Sequence, residues 1–259
     1  MAGHCTEISA HRGGAEDAPL ASWEAYVTCV DTSAEYVELD IRRTADDVLV
    51  AHHDAWVEAP GRPLVRDLTY RQLCRMAGCR VPLVSELLEV IASHARGHLD
   101  LKEPGYERQV LDLATGILGV GGFLVSTPEE ESARLIKDAR PATPVALLLG
   151  RDLRRAPWRG RARVRYGEIR PLGRIRRSGA DWVSMHHLIA ASGVLNLCAR
   201  EGLRTIVWTV NGDRAIDRLL VDERVSVLVT DHPRHAARRR AALTAAGSAG
   251  SAGEPSPSR

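Results

Sequence analysis

Residues 36–54 read YVELDIRRTADDVLVAHHD, and the predicted fold and chemistry follow from this stretch. Apolar and polar side chains alternate from residue 37 to residue 42, which is the period-two pattern of a β-strand. This alternation puts Glu38 and Asp40 on the same face. Two carboxylates there repel each other and lose solvation unless a cation pairs with them, and Mg²⁺ and Ca²⁺ prefer such oxygen ligands. The strand therefore predicts a metal site, with a hairpin that has a solvated polar face as the alternative.

The residues after this strand bring histidines to the same neighbourhood. A turn at residues 44–47 precedes a second apolar run at 48–51, which leads to His52, His53 and Asp54. A short stretch of chain thus delivers a carboxylate pair and imidazole groups together. Because imidazole exchanges protons near neutral pH, such a set is typical of acid–base catalysis.

Two other strand-like runs end in charged or titratable residues. The run TEISA is followed by His11, Arg12 and two glycines, which allow a tight turn at the strand end. Arginine is the usual bidentate partner of phosphate. In the run HLDLKE, Asp100 and Lys102 share a face, so they offer a third carboxylate and a second cation. The alternative for this pair is an ordinary exposed ion pair.

Six stretches combine into one signature: HRGG at 11–14, ELDIRRTADDVLVAHHD at 38–54, RVPLVSELLEVI at 80–91, LDLK at 99–102, IVWTVNG at 206–212 and LVTDHP at 228–233. Their order and approximate spacing resemble those of the glycerophosphodiester phosphodiesterase family, from about residue 6 to residue 235. The resemblance implies a TIM barrel and one divalent metal ion, Mg²⁺ or Ca²⁺. It also implies a small-molecule substrate, a glycerophosphodiester that is cleaved to sn-glycerol 3-phosphate and an alcohol.

The same resemblance implies roles for individual residues without saying which histidine is the acid and which the base. The set comprises the catalytic pair His11 and His53, the metal ligands Glu38, Asp40 and Asp100, the phosphate-binding Arg12 and Lys102, Trp208 against the glycerol or headgroup, and Glu16 as a support behind the ligands.

The chain departs from the family pattern in three places. Residues 15–18 read AEDA where Pro-Glu-Asn-Thr is usual, Asp46-Asp47 replaces Asp-Gly, and Asp100 stands where Glu is commoner. Sphingomyelinase D-like phospholipases also use Asp-x-Lys at this last place, so a lysophospholipase D or sphingomyelinase D-like activity is the alternative function. A catalytically inactive barrel used for binding is the second alternative, although every metal and histidine position is filled.

Strand-like and helix-like runs alternate along the chain, which predicts parallel strands with crossover helices and, with eight strands, a single-domain α/β fold, the (β/α)₈ TIM barrel. The predicted strands are Glu7–His11, Val37–Ile41, Gly97–Lys102, Gly122–Ser126, Pro144–Leu149, Trp182–Ser184, Thr205–Thr209 and Ser226–Thr230. The predicted helices are Pro19–Asp31, Leu83–His94, Tyr106–Gly116, Pro128–Asp138, Leu188–Glu201 and Arg214–Asp222. We expect the barrel to occupy residues 1–240 and the Gly/Ser/Pro-rich residues 241–259 to be disordered.

Composition argues against several classes of protein. A formal net charge of +2 is too small to indicate a nucleic-acid partner. No run approaches the roughly 18 apolar residues that span a bilayer, and the first residues lack a signal-peptide pattern. Five scattered cysteines without metal-ligand spacing predict reduced thiols and a cytoplasmic location. The sequence does not indicate an oligomeric state.

Three remaining features have structural interpretations. The arginine-rich segment 151–177 is either a basic lip that attracts anionic substrate or a solvated connection, and the second interpretation is favoured. We read the adjacent His186 and His187 as part of a loop. Asp231 is expected to cap the last helix through its backbone N–H groups.

Overall fold

A computed structural model describes residues 5–150 and 167–251 of the chain. Its strands are β1 (Glu7–Ala10), β2 (Tyr36–Arg43), β3 (Leu49–Ala51), β4 (Arg96–Leu101), β5 (Phe123–Thr127), β6 (Val145–Leu149), β7 (Trp182–His186), β8 (Arg204–Trp208) and β9 (Val227–Thr230). They form one sheet in the order β1-β9-β8-β7-β6-β5-β4-β2-β3, and β1 also pairs with β2. This last pairing closes a ring of eight parallel strands, while β3 pairs antiparallel with β2 alone.

Helices separate the strands of the ring along the chain. They are α1 (Trp23–Thr28), α2 (Tyr70–Ala77), α3 (Val84–Ile91), α4 (Glu107–Leu118), α5 (Glu130–Ala139), α6 (Leu172–Ser178), α7 (Leu195–Arg200), α8 (Asp213–Leu220) and α9 (Pro233–Ser251). The predicted (β/α)₈ barrel is therefore confirmed. The excursion between β3 and α3 contains α2 and has a small apolar cluster of its own, in which Val57, Val65 and Leu73 are buried.

Side chains of the ring strands alternate between the barrel interior and the layer of helices outside. The interior cluster draws only on strands and consists of Tyr36, Leu124, Ala146, Trp182, Ile206, Val227 and Val229. A larger cluster joins the outward side chains of the strands to the helices. Since Glu38 and Asp40 are two and four residues from Tyr36, β2 turns both carboxylates into the barrel.

The structure describes only parts of two predicted segments, the tail at 241–259 and the arginine-rich segment at 151–177. Helix α9 runs to Ser251, past residue 241 where disorder was predicted, because its alanine-rich sequence favours helix and Leu243 packs against the core. Residues 252–259 lie outside the described residues, as do residues 151–166 of the arginine-rich segment. The described part of that segment includes α6, where Arg174 and Arg177 pair with Glu130 of α5.

None of the described helices combines the length and apolar character needed to cross a bilayer.

Candidate active site

Three carboxylates meet inside the barrel where β2 and β4 lie side by side. The parallel register places Asp40 opposite Asp100, and Glu38 one pleat below. All three residues are at most 4% exposed, and one carboxylate oxygen from each lies within 4.8 Å of the others. This donor set and spacing match what a hard divalent cation requires, so the predicted ligands are brought together.

Two cations contact these carboxylates. The Arg12 Nε atom lies 2.6 Å from Oδ2 of Asp40, and the Lys102 Nζ atom lies 2.6 Å from Oδ1 of Asp40. Lys102 also contacts Asp100. Both Asp40 oxygens are buried, and each forms an ion pair with one of these cations. Buried carboxylates are costly unless positive charge compensates them, so a cluster of three favours cations.

Among the described residues, the carboxylates of this cluster outnumber the cations that contact them. Three carboxylates face Arg12 and Lys102. Burial and the neighbouring Asp40 raise the pKa of Glu38 well above its usual range. Burial alone would raise the pKa of Asp40 as well, but Lys102 and Arg12 outweigh it and the pKa falls. A bound cation would stabilise the charged form of Glu38, so binding is coupled to loss of its proton.

The turn after β1 delivers Arg12. Arg12 has a left-handed φ of 48°, and its backbone N–H donates to Glu38 Oε2 at 3.0 Å. Gly13 follows with a φ of 83°, and a Cβ atom there would lie 2.7 Å from the carbonyl carbon of Ala25 in α1. The turn therefore needs glycine, both for its backbone conformation and for its close packing against α1.

His11 is oriented by residues that the sequence analysis did not assign to the site. Its Nδ1 atom lies 2.5 Å from Asp231 Oδ1, just after β9. The Asn211 amide donates to Asp231 Oδ2 at 2.6 Å, and its carbonyl oxygen accepts the Asp231 N–H at 3.0 Å. Burial would raise the pKa of Asp231, but its bond to His11 lowers it overall. Asp231 thus holds the His11 ring.

Glu16, not Asp231, caps α9. The Glu16 carboxylate accepts the backbone N–H groups of Arg234 at 2.9 Å and His235 at 2.8 Å. The expectation that Asp231 caps this helix is therefore corrected, because its carboxylate oxygens bind His11 and Asn211. Glu16 ties the loop that follows His11 to the start of α9, whereas its predicted role as a support for the metal ligands stays a prediction.

His53 lies in the loop after β3 and is anchored by its backbone. Its carbonyl oxygen accepts two bonds from the Arg42 guanidinium, at 3.0 Å from Nε and 2.8 Å from Nη2. Its ring is half-exposed and contacts Asp54 at 2.9 Å. Partial burial lowers the pKa of His53; Lys102 and Arg12 lower it further, and Asp40 opposes them. His53 therefore lies within the electrostatic field of the carboxylate cluster.

Trp208 is the last residue of β8 and lies on the same inward face of the strand as Ile206. Its ring meets His186 edge-on with centroids 5.2 Å apart, and its buried indole N–H has no hydrogen-bond partner among residues 5–150 and 167–251. The ring of His187, which follows His186 in the sequence, donates to the Thr209 carbonyl at 3.0 Å. His186 and Trp208 are register partners on neighbouring strands, so they form an aromatic edge of the mouth. Substrate contact by Trp208 stays a prediction.

Comparisons with known proteins agree with this architecture. The model of the glycerophosphoryl diester phosphodiesterase family matches residues 11–235. A glycerophosphodiester phosphodiesterase of Caldanaerobacter subterraneus subsp. tengcongensis is 22% identical over 246 residues, which span 88% of this chain and 95% of the relative.

Solved structures show that the fold is shared. A glycerophosphodiester phosphodiesterase from Parabacteroides distasonis superposes with a TM-score of 0.74 at 19% identity, covering 95% of this chain and 99% of the other. An Oleispira antarctica phosphodiesterase, solved in complex with the product sn-glycerol-3-phosphate, gives a TM-score of 0.68 at 16% identity. That alignment covers 91% of this chain and 96% of the other.

Proposed function

The chain belongs to the glycerophosphoryl diester phosphodiesterase family, and on that premise we propose that it hydrolyses glycerophosphodiesters to sn-glycerol 3-phosphate and an alcohol with one divalent cation. The observation that carries this proposal is the buried set of Glu38, Asp40 and Asp100 facing Arg12 and Lys102. The product seen in the Oleispira antarctica relative contains the phosphate group that such a set suits.

Glu38, Asp40 and Asp100 would hold the cation, Mg²⁺ or Ca²⁺. Their buried oxygens, which lie within 4.8 Å of one another, support this assignment. When bound, the cation polarises a phosphoryl oxygen and adds positive charge to the site. Arg12 and Lys102 are held by the same Asp40 and offset the negative charge that develops on phosphorus-bound oxygens in the transition state.

The two histidines have environments that suit different roles. The pKa of His53 is lowered, which keeps its ring unprotonated near neutral pH, so His53 takes the proton of the nucleophile. Asp231 engages Nδ1 of His11, which leaves Nε2 to donate a proton to the leaving alcohol oxygen. As the new P–O bond forms, the bond to the alcohol breaks, and proton exchange with solvent resets both rings. The nucleophile is water, or the glycerol 2-hydroxyl with a cyclic intermediate.

A substrate panel with controlled metal content tests this function. Chelation with EDTA should abolish hydrolysis of glycerophosphocholine, and Mg²⁺ or Ca²⁺ should restore it with release of sn-glycerol 3-phosphate. Turnover that persists unchanged under chelation would reject the metal role.

Lysophospholipids in the same panel address the second candidate, which Asp100-x-Lys102 favours. Preferred cleavage of a lysophospholipid would assign the chain to the lysophospholipase D or sphingomyelinase D-like class. Inactivity toward every substrate, despite metal binding, would support a barrel used only for binding.

A further inference from the structure

A chain of hydrogen bonds crosses the barrel interior beneath the carboxylate cluster. The Ser9 hydroxyl oxygen lies 3.2 Å from Nδ1 of His98, and Nε2 of His98 lies 3.1 Å from the Ser126 hydroxyl oxygen. Ser126 then donates to Oδ1 of Asp100 at 3.0 Å. Ser9, His98 and Ser126 are at most 3% exposed. The chain links β1, β4 and β5, and β1 is separated from β4 in the ring by β2.

The available donors and acceptors fix the direction of every hydrogen bond in this series. A carboxylate only accepts, so the single Ser126 hydrogen goes to Asp100, and the Ser126 oxygen must accept from Nε2 of His98. A neutral His98 ring then has Nδ1 free to accept the Ser9 hydroxyl hydrogen. Burial lowers the pKa of His98 to about 4, in agreement with a neutral ring. Every member is satisfied, as a stable buried network requires.

The two oxygens of Asp100 have different partners. Ser126 binds Oδ1, whereas Lys102 contacts Oδ2. Glu38 is held by a backbone N–H of the Arg12 turn, and Asp40 by ion pairs with Arg12 and Lys102. Asp100 instead accepts a hydrogen bond from Ser126 on the neighbouring strand β5, and Ser126 links it to His98 and Ser9.

We propose that Ser126 and His98 are positioning residues that fix the orientation of Asp100 for metal binding. This inference rests on the proposed function, since it assumes that Asp100 is a ligand. Aspartate is one methylene shorter than glutamate and cannot extend toward an ion, so the orientation of its carboxylate decides how well it ligates. A hydrogen-bonded carboxylate loses less freedom on binding, and loss of such a supporting partner costs about 10- to 100-fold in metal affinity.

Calorimetric titration of the EDTA-treated full chain with Mg²⁺, Ca²⁺ and Mn²⁺ tests the proposal. Ser126→Ala should weaken binding about 10- to 100-fold. Ser126→Thr keeps the hydroxyl on a residue that suits β5, so it should restore most of the affinity. Ser184→Ala is the matched control, because Ser184 is a buried serine of β7 without a described hydrogen bond to the three carboxylates. His98→Gln should show an intermediate loss and replaces Ser126→Ala if that variant does not fold.

A kinetic readout separates positioning from a general loss of structure. For Ser126→Ala, the metal concentration that gives half-maximal activity should rise with the loss of affinity, while kcat at saturating metal changes by less than about twofold. If the unmodified chain binds no divalent metal, the proposed function fails. If it binds metal and Ser126→Ala and His98→Gln bind equally well, only the positioning role is overturned.

Discussion

The two ends of the barrel interior both hold clustered charges, but they balance them differently. At the amino end of the strands, Glu7 contacts Arg96 and lies 4.0 Å from Arg204. Each arginine also stacks on an aromatic ring with its guanidinium carbon 4.0 Å from the centroid, Arg96 on Tyr36 and Arg204 on Trp182. The amino end thus satisfies its cations with ring faces and one carboxylate.

At the carboxyl end the balance is reversed. Among the described residues, three clustered carboxylates exceed the two cations that contact them, Arg12 and Lys102. The described residues of the amino end thus pair their charges with one another, whereas the excess of carboxylates at the carboxyl end agrees with the proposed cation site. Active sites of TIM barrels lie at the carboxyl end, and charge balance gives a physical reason in this molecule.

The largest difference between the two ends is expected when an imidazole is removed from the carboxyl end. His11→Ala or His53→Ala should lower kcat on glycerophosphocholine at least about a hundredfold, because each removes a proton carrier, while the melting temperature stays close to that of the parent. His94→Ala is the control, since His94 is exposed and precedes β4 at the amino end. Near-normal turnover of either site variant would contradict the assignment.

The partner of His11 should matter less than the ring itself. Asp231→Ala leaves the imidazole in place without its anchor, so kcat should fall roughly tenfold because only orientation is lost. Asp213 offers a matched control, as it forms a second His–Asp pair with His235 at 3.0 Å near the surface. Steady-state kinetics of Asp231→Ala and Asp213→Ala would show equal rates only if the contact with His11 has no role.

The pH dependence of the rate tests the environment of His53, and we expect it to change the rate by a factor of a few. If His53 is the base, its unprotonated form is the active one, so activity falls as pH drops through its pKa. Because burial and the cations Lys102 and Arg12 lower this pKa, the acidic limb of kcat/KM should lie below pH 6.5. The Asp54 hydrogen bond raises the pKa, so Asp54→Asn should move the limb further down. A limb above pH 6.5 would instead favour His11 as the base.

The smallest effect is expected at the amino end. Arg204→Met keeps an apolar stem over Trp182 but loses the cation, which should lower the free energy of unfolding by about 0.5–1 kcal/mol. Catalysis should be unchanged within about twofold. Urea unfolding and kcat on the same preparation would measure both, and a large loss of kcat without a loss of stability would show that the two ends are not separate.

The parts of the site that could be predicted from the sequence are those set by local alternation. Glu38 and Asp40 share a face because they are two residues apart, and the strand pattern around Asp100 shows the same regularity. The resemblance to the family then gave the histidines and cations their roles. The direct contacts among Arg12, Asp40 and Lys102 agree with a shared pocket.

The contacts that escaped prediction depend on closure of the ring. Asp231 meets His11 across 220 positions of sequence, and Glu16 caps a helix that begins more than 200 residues later. No local pattern contains these pairs, since they exist only because β9 lies beside β1. The hydrogen bonds of His98 escaped prediction for the same reason, because its partners Ser9 and Ser126 come from two other strands.

The pairing of His11 with Asp231 has a consequence for biosynthesis. A nascent chain that has just left the ribosome up to residue 150 already contains every carboxylate of the cluster, yet it lacks the aspartate that anchors its first histidine. Strand β9 is translated after every other strand of the ring, so the contact between His11 and Asp231 forms only after all three carboxylates have been synthesised. Translation order thus delays the anchoring of the His11 ring until the last strand of the barrel is made.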